Sequence, residues 1–179
     1  MEFISGHAGR QSEIANLFTS TFTDSEGENE GKLVGGLVAD MMQTTPDEDL
    51  FAFSAIDNHT LVGAIFFSRL IYKDDKRTVF ILSPVAVKTD QQKRGVGQKL
   101  ITYGLEQLCE LGVDIALTYG DPNYYSKTGF RPITEDFAKA PLKLSQPEGW
   151  LGLPLSDSGH QPLIGTSQCV AALNNKELW

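Results

Sequence analysis

At 179 residues with 41% hydrophobic content, the chain can bury a core yet lies below the size at which cores split, so a single domain over 1–179 is expected. Its formal net charge of −8, from 23 Asp and Glu against 15 Lys and Arg, argues against broad phosphate-backbone binding and hence against a nucleic-acid partner. The two cysteines, Cys109 and Cys169, belong to no C-x-x-C or His-spaced set, which fits a reduced compartment and gives a metal nothing to bind.

Phe3 to Ser5 reads as a short first strand, and Ile14, Leu17, Phe18 and Phe22 recur at helical spacing across Gln11 to Phe22. The polar run Asp24-Ser25-Glu26-Gly27-Glu28-Asn29-Glu30 reads as a turn. Leu33, Val34, Leu37, Val38 and Met41 then restart the helical pattern as far as Thr44-Thr45-Pro46. Leu50–Ile56 and Leu61–Tyr72, rich in aromatic and β-branched residues and joined by Asp57-Asn58-His59, predict a β-hairpin. The longest apolar run, Leu61 to Phe67, is too short to cross a bilayer, and Met1 to Ser5 has neither the basic region nor the apolar core of a leader. A soluble, cytoplasmic protein with no membrane partner is expected.

Thr78 to Val87 predicts the next strand, with Pro84 marking a bulge. From Gly95 the period changes: Gly97, Ile101, Leu105, Leu108 and Leu111 form one apolar helical face, and Gly112 ends it. Val113 to Tyr119 reads as a buried strand. Asp121-Pro122 then supplies an N-cap and a first-turn proline for a short helix through Lys127, stopped by Gly129. A stretch rich in Pro, Gly and Ser follows from Leu144 to Pro162, and a last strand is expected near Ile164 to Ala172.

Two segments carry chemistry. Backbone N–H groups at a helix start lack intrahelical partners and sit at the positive end of the dipole, so Gly95 and Gly97 allow an anion to approach them closely. Lys88, Lys93, Arg94 and Lys99 put four basic residues into a 12-residue window of an acidic chain. By spacing alone, this loop is a phosphate cradle or a structural turn. A dinucleotide fingerprint would need Gly where Leu100 stands and an acidic residue after the next strand, where Thr118-Tyr119-Gly120 stands; no G-x-x-x-x-G-K-[ST] or G-x-S-x-G string occurs. Tyr125, 28 residues after Gly97, is by itself a packed aromatic or a proton donor.

The run Leu82-Ser83-Pro84-Val85-Ala86-Val87, then Gln92-x-x-Gly95-x-Gly97 opening a long helix, then Tyr124-Tyr125-x-x-x-Gly129-Phe130, resembles the acetyl-CoA-binding core of the GNAT N-acetyltransferase superfamily. Gly120-Asp121-Pro122-Asn123-Tyr124-Tyr125 resembles in particular a bacterial branch of predicted N-acetyltransferases. The resemblance covers residues 82–130 most fully and weakens beyond Asp136.

What the resemblance implies is specific. The fold is an α/β acyl-CoA N-acyltransferase fold: a mixed, mostly antiparallel sheet of six or seven strands with a bulged, splayed fourth strand, flanked by helices. Residues 78–130 would hold acetyl-CoA as co-substrate, with elements 11–45 and 145–173 on the acceptor side. The pantetheine arm would meet the strand end Val85, Ala86 and Val87, with bonds to Val85 and Val87. The pyrophosphate would meet Gln92, Lys93, Arg94, Gly95, Val96 and Gly97, with Gln98 and Lys99 in the first helical turn. Tyr125 takes the position that protonates the departing thiolate, and a phenol with a pKa near ~10 carries its proton at neutral pH. Acetyl transfer to a primary amine of a small molecule or peptide, by direct attack in a ternary complex, is the expected reaction; a homodimer is common among such proteins.

Two features stay open. The strand Thr78–Ser83 lacks the carboxylate that many relatives use as general base, so Glu28, Glu30, Asp40 and Asp121 are all candidates. The acidic run Asp24, Glu26, Glu28 and Glu30 would suit a cationic acceptor, although a solvated loop is the commoner meaning of such a run. A non-catalytic acyl-CoA sensor would need the glycine loop but not Tyr125, and another nucleotide-binding enzyme would use the loop without pantetheine.

Overall fold

Alternating and near-continuous apolar strands dominate the first half of the chain, and in the computed structural model, which describes residues 1–179, they assemble into one twisted sheet. The strands are β1 (Glu2–Ser5), β2 (Leu50–Asp57), β3 (Thr60–Tyr72), β4 (Val79–Val87), β5 (Ile115–Tyr119), β6 (Arg131–Pro132), β7 (Trp150–Pro154) and β8 (Ser167–Gln168). Seven of them run in the order β1-β2-β3-β4-β5-β7-β6, and β8 pairs with the far end of β3. Every pairing is antiparallel except β4 with β5. Eight strands therefore stand where six or seven were expected.

Helices α1 (Gln11–Glu26) and α2 (Glu28–Thr44) cover one face and α3 (Val96–Glu110) the other. Ile14, Phe18, Val38 and Met41 bury against Phe66 and Trp150 on the first face, whereas Ile101, Leu105 and Leu108 meet Phe67 and Phe80 on the second. A sheet clothed on both faces explains why β3 and β4 read as almost unbroken apolar runs. The β2–β3 turn narrows to Asn58 and His59, whose φ values of +47° and +64° are those that a two-residue hairpin turn demands.

The structure revises several expectations. The polar run 24–30 is helical apart from Gly27, whose φ of +99° lets one helix stop and the next begin; polar residues on a solvent face do not end a helix. Gly31 and Gly35 then bring α2 close to α1, since a Cβ at either would collide with Thr23 or Thr19. Leu111, assigned to the apolar face of α3, is 62% exposed, and Leu100 is buried instead. The last strand shrinks to Ser167–Gln168. Conversely, Trp150–Pro154 is a strand paired on both sides, hidden in the sequence by the breakers Pro147, Gly149 and Pro154 around it.

Candidate active site

Pro84 does what its position in β4 suggested. Ile65 pairs with Val85 and Phe67 with Leu82, so two steps along β3 span three along β4, and the extra residue falls at Ser83-Pro84. On its other side β4 pairs with β5 as far as Leu82 and Thr118, where the Thr118 hydroxyl donates to the Leu82 carbonyl at 2.9 Å. Beyond that rung the two parallel strands part. The Lys88 N–H donates to Val62 of β3, so by alternation Ala86 directs its polar groups to β3 while Val85 and Val87 direct theirs into the gap.

Across the gap lies the start of α3. Gly95 caps it at a φ of +77°, and no N–H from Lys93 through Gln98 finds a partner in the protein. The loop is pinned to the strand end by the Gln92 side chain, whose Nε2 donates to the Val87 carbonyl at 3.0 Å. Gly97 has no room for a side chain, because a Cβ there would strike the Tyr124 hydroxyl. The glycine expected to let an anion approach thus also seats a phenol.

Tyr124 and Tyr125 stand on α4 (Pro122–Tyr125), which Asp121 caps by accepting the Asn123 N–H at 2.9 Å. The Tyr125 ring meets Phe130 edge-on, with centroids 5.9 Å apart, and lies so close over Gly120 that a Cβ would come within 2.7 Å of it. Burial, opposed in part by the Thr118 hydroxyl, pushes the Tyr125 phenol up to about 12. Burial raises Tyr124 as well.

These elements border two cavities. One, of about 460 Å³, is lined by Val85, Val87, Gln92, Lys93, Gly95, Val96, Gly97 and Gln98 of the expected set, together with Tyr125. Ala86 turns its methyl into the core, and the exposed Arg94 and Lys99 lie outside this lining; Arg94 donates to Gln91. Thr21, Phe22 and Ser25 of α1, with Gln91, Tyr124 and Lys127, were not assigned to a site from sequence, and Glu26 was noted only within the acidic run that would suit a cationic acceptor; these residues complete the walls. The other cavity, of about 630 Å³, takes in Glu30, Asp121, Gly149 and Trp179. Phe22, Glu26, Val85, Tyr124 and Tyr125 belong to both, so the two spaces meet at the tyrosine pair.

Of the four carboxylates considered as a base, Glu30 and Asp121 border the second cavity, while Glu28 pairs with Lys32 and neither Glu28 nor Asp40 lines either space. Glu26 is the carboxylate that lines both. Cys109 is exposed on α3, and neither cysteine reaches the junction. No group of His, Cys, Asp and Glu side chains is arranged to hold a metal ion, and no helix is long and apolar enough to cross a membrane.

The profile of the acetyltransferase (GNAT) family matches residues 12–130, well over half of the chain. YjhQ, an uncharacterised N-acetyltransferase of Escherichia coli K12, is 32% identical over 102 residues, 56% of this chain and 56% of its own. YhbS of the same strain, likewise described, is 30% identical over 105 residues, 59% of this chain and 60% of its own. The matches thus span a little over half the length of these curated relatives. In overall fold the chain superposes on E. coli YhbS in complex with CoA with a TM-score of 0.79, at 20% identity over 97% of this chain and 92% of that one. It superposes on a GNAT acetyltransferase of Brucella melitensis in complex with acetyl-CoA with a TM-score of 0.70, at 22% identity over 96% of each. Since one family profile runs unbroken through the α1–α2 hairpin, the parted strands, the glycine loop and the Tyr125 segment, the chain belongs to the GNAT family of acetyltransferases.

Proposed function

We propose that the protein transfers an acetyl group from acetyl-CoA to a primary amine by direct attack. The observation that carries this reading is the meeting of two cavities at Tyr125, one bordered by a helix start with free N–H groups and the other by carboxylates.

The residues present fit a phosphorylated thioester. The free N–H groups from Lys93 to Gln98, with Lys93 and Lys127 nearby, suit a pyrophosphate. The polar groups that Val85 and Val87 turn into the strand gap suit the amides of an extended arm, which would add to β4 as a further strand does. That orientation would bring the thioester to the cavity junction. There the amine nitrogen bonds the carbonyl carbon, the carbon–sulfur bond breaks, and the Tyr125 hydroxyl gives its proton to the leaving sulfur. Backbone N–H near Val87 stabilises the carbonyl oxygen as charge develops on it. The proton shed by the amine passes to Glu26, directly or through water, because this carboxylate borders both spaces. Neither cysteine borders the junction, which supports direct attack over a covalent relay.

Calorimetric titration with acetyl-CoA, CoA and NAD, followed by thiol release from acetyl-CoA in the presence of a panel of amines, tests the proposal. Binding of both CoA species and amine-dependent thiol release are expected; a preference for NAD would overturn it.

A further inference from the structure

The two cavities differ in charge. Lys93 and Lys127 line the smaller one, whereas the larger has Glu26, Glu30, Asp121 and Glu177 on its walls and no Lys, Arg or His among its 19 lining residues. None of these four carboxylates has a cationic side chain within 4 Å, although Glu28, between Glu26 and Glu30 in the chain, is paired with Lys32. One side of the wall is apolar and aromatic, built by Val34 and Leu37 from α2, Tyr119 from β5, and Leu178 and Trp179 from the last turn, while Ser83, Ser145 and Gln146 supply neutral polar groups. Trp179 is held firmly. Its ring stacks on Tyr119 with centroids 6.1 Å apart, its indole N–H donates to Leu173 at 2.9 Å, and it is only 5% exposed.

Building on the transferase reading above, we infer that the 630 Å³ cavity takes an amine on an apolar or aromatic body without an anionic group, and that the turn carrying Glu177 and Trp179 selects it. An acceptor with a carboxylate or phosphate beside the amine would face four like charges around one open cavity, a juxtaposition that costs affinity even though Glu26, Asp121 and Glu177 are exposed to solvent. A protonated amine would find compensation for charges the fold leaves unpaired, and its body would replace water on an apolar wall. Segment 174–179 lies beyond the acceptor-side boundary at residue 173 drawn from sequence. It reaches the cavity through the packing of Trp179 between Tyr119 and Trp150.

The test measures equilibrium binding to the CoA-saturated protein, read by isothermal titration calorimetry, for two matched pairs: phenethylamine against phenylalanine, and tryptamine against tryptophan. The amines should bind at least about tenfold more tightly than their carboxylated partners. Glu177→Gln, an exposed position, should narrow that ratio about threefold while CoA affinity and thermal stability stay unchanged. Equal affinity within each pair, tighter binding of the amino acids, or no binding of either amine would overturn the inference while leaving CoA binding and the transferase reading standing. Failure of CoA itself to saturate the protein would overturn both.

Discussion

Tyr125 illustrates how surroundings reset the acidity of a single side chain. A phenol in water loses its proton near pH ~10, but here burial against Gly120 and Phe130 holds the value up at about 12. The group therefore stays a donor well into the alkaline range. Tyr125→Phe should lower kcat roughly ten- to a thousandfold with acetyl-CoA affinity nearly unchanged, measured by thiol release and calorimetry. Unchanged turnover would remove the hydroxyl from the mechanism. Raised pKa also means that the acid form persists above pH 10, so the kcat profile of the wild-type protein should show no descending limb from this group before about pH 11. A descending limb near pH 10 that disappears in Tyr125→Phe would contradict the burial argument. Tyr125 and Gly97 were legible in sequence because each stands in a local motif. Phe22 was read only as a core position, Tyr124 only as part of a motif and Glu26 only as one of four acidic residues, because their place at the cavity junction comes from where α1 and α4 lean against the glycine loop.

At the scale of elements, the α1–α2 hairpin decides where Glu26 and Glu30 stand. Three glycines in α2 sit in different environments. A Cβ at Gly31 would strike Thr23 and approach the Thr19 carbonyl to 2.6 Å, and one at Gly35 would strike the Thr19 hydroxyl, which is itself bonded to Ala15. Gly36 is exposed and would meet nothing within 4 Å. Gly31→Ala and Gly35→Ala should each cost ~1–3 kcal/mol in urea unfolding, as overpacked contacts do. Gly36→Ala should stabilise by ~0.5–1 kcal/mol, since a glycine in a helix interior is penalised by backbone entropy. If all three substitutions had the same sign, helix approach would not be the reason for the first two. The same hairpin also shows why the polar run 24–30 misled: its composition matches a turn, yet the interruption needs one glycine.

For the molecule as a whole, the C-terminal third is fastened to the sheet by buried charge. Arg77 donates through Nε and Nη2 to Asp75, and also to the carbonyls of Ser158, Gln161 and Pro162, while Asp75 accepts the Ile164 N–H. The Arg77 guanidinium holds the Asp75 carboxyl down at about 2, and the carboxylate side chain is only 6% exposed. With the folded pKa below the unfolded one, the stabilisation is present above pH ~4 and is lost as pH falls toward 2. Asp114 adds to the same trend; burial opposes its ionisation, but the Ser156 hydroxyl and the Thr78 N–H hold its carboxyl below the usual range. Asp75→Asn should cost about 2–3 kcal/mol at pH 7 and flatten the acid limb of the stability curve between pH ~4 and 2, followed by chemical unfolding across pH. An acid limb identical to wild type would show that this pair does not govern it.

Much of the local order, though not the helical run 24–30 or the strand Trp150–Pro154, was determined by sequence alone. A helical period marked α3, aromatic and β-branched runs marked the β2–β3 hairpin, glycines and prolines punctuated them, and the spacing from Pro84 to Phe130 outlined the bulged strand end, the glycine loop and the tyrosine segment, because those residues lie within one strand, one loop and two helix starts. The second half of the site was decided by tertiary structure. Glu26 comes from the end of α1, Glu30 from α2, Asp121 from the cap of α4, and Glu177 and Trp179 from the last turn. Residues this distant in the chain share no period or spacing, and only the closing of β5 onto β7, with Trp179 packed between Tyr119 and Trp150, brings their charges and rings around one space.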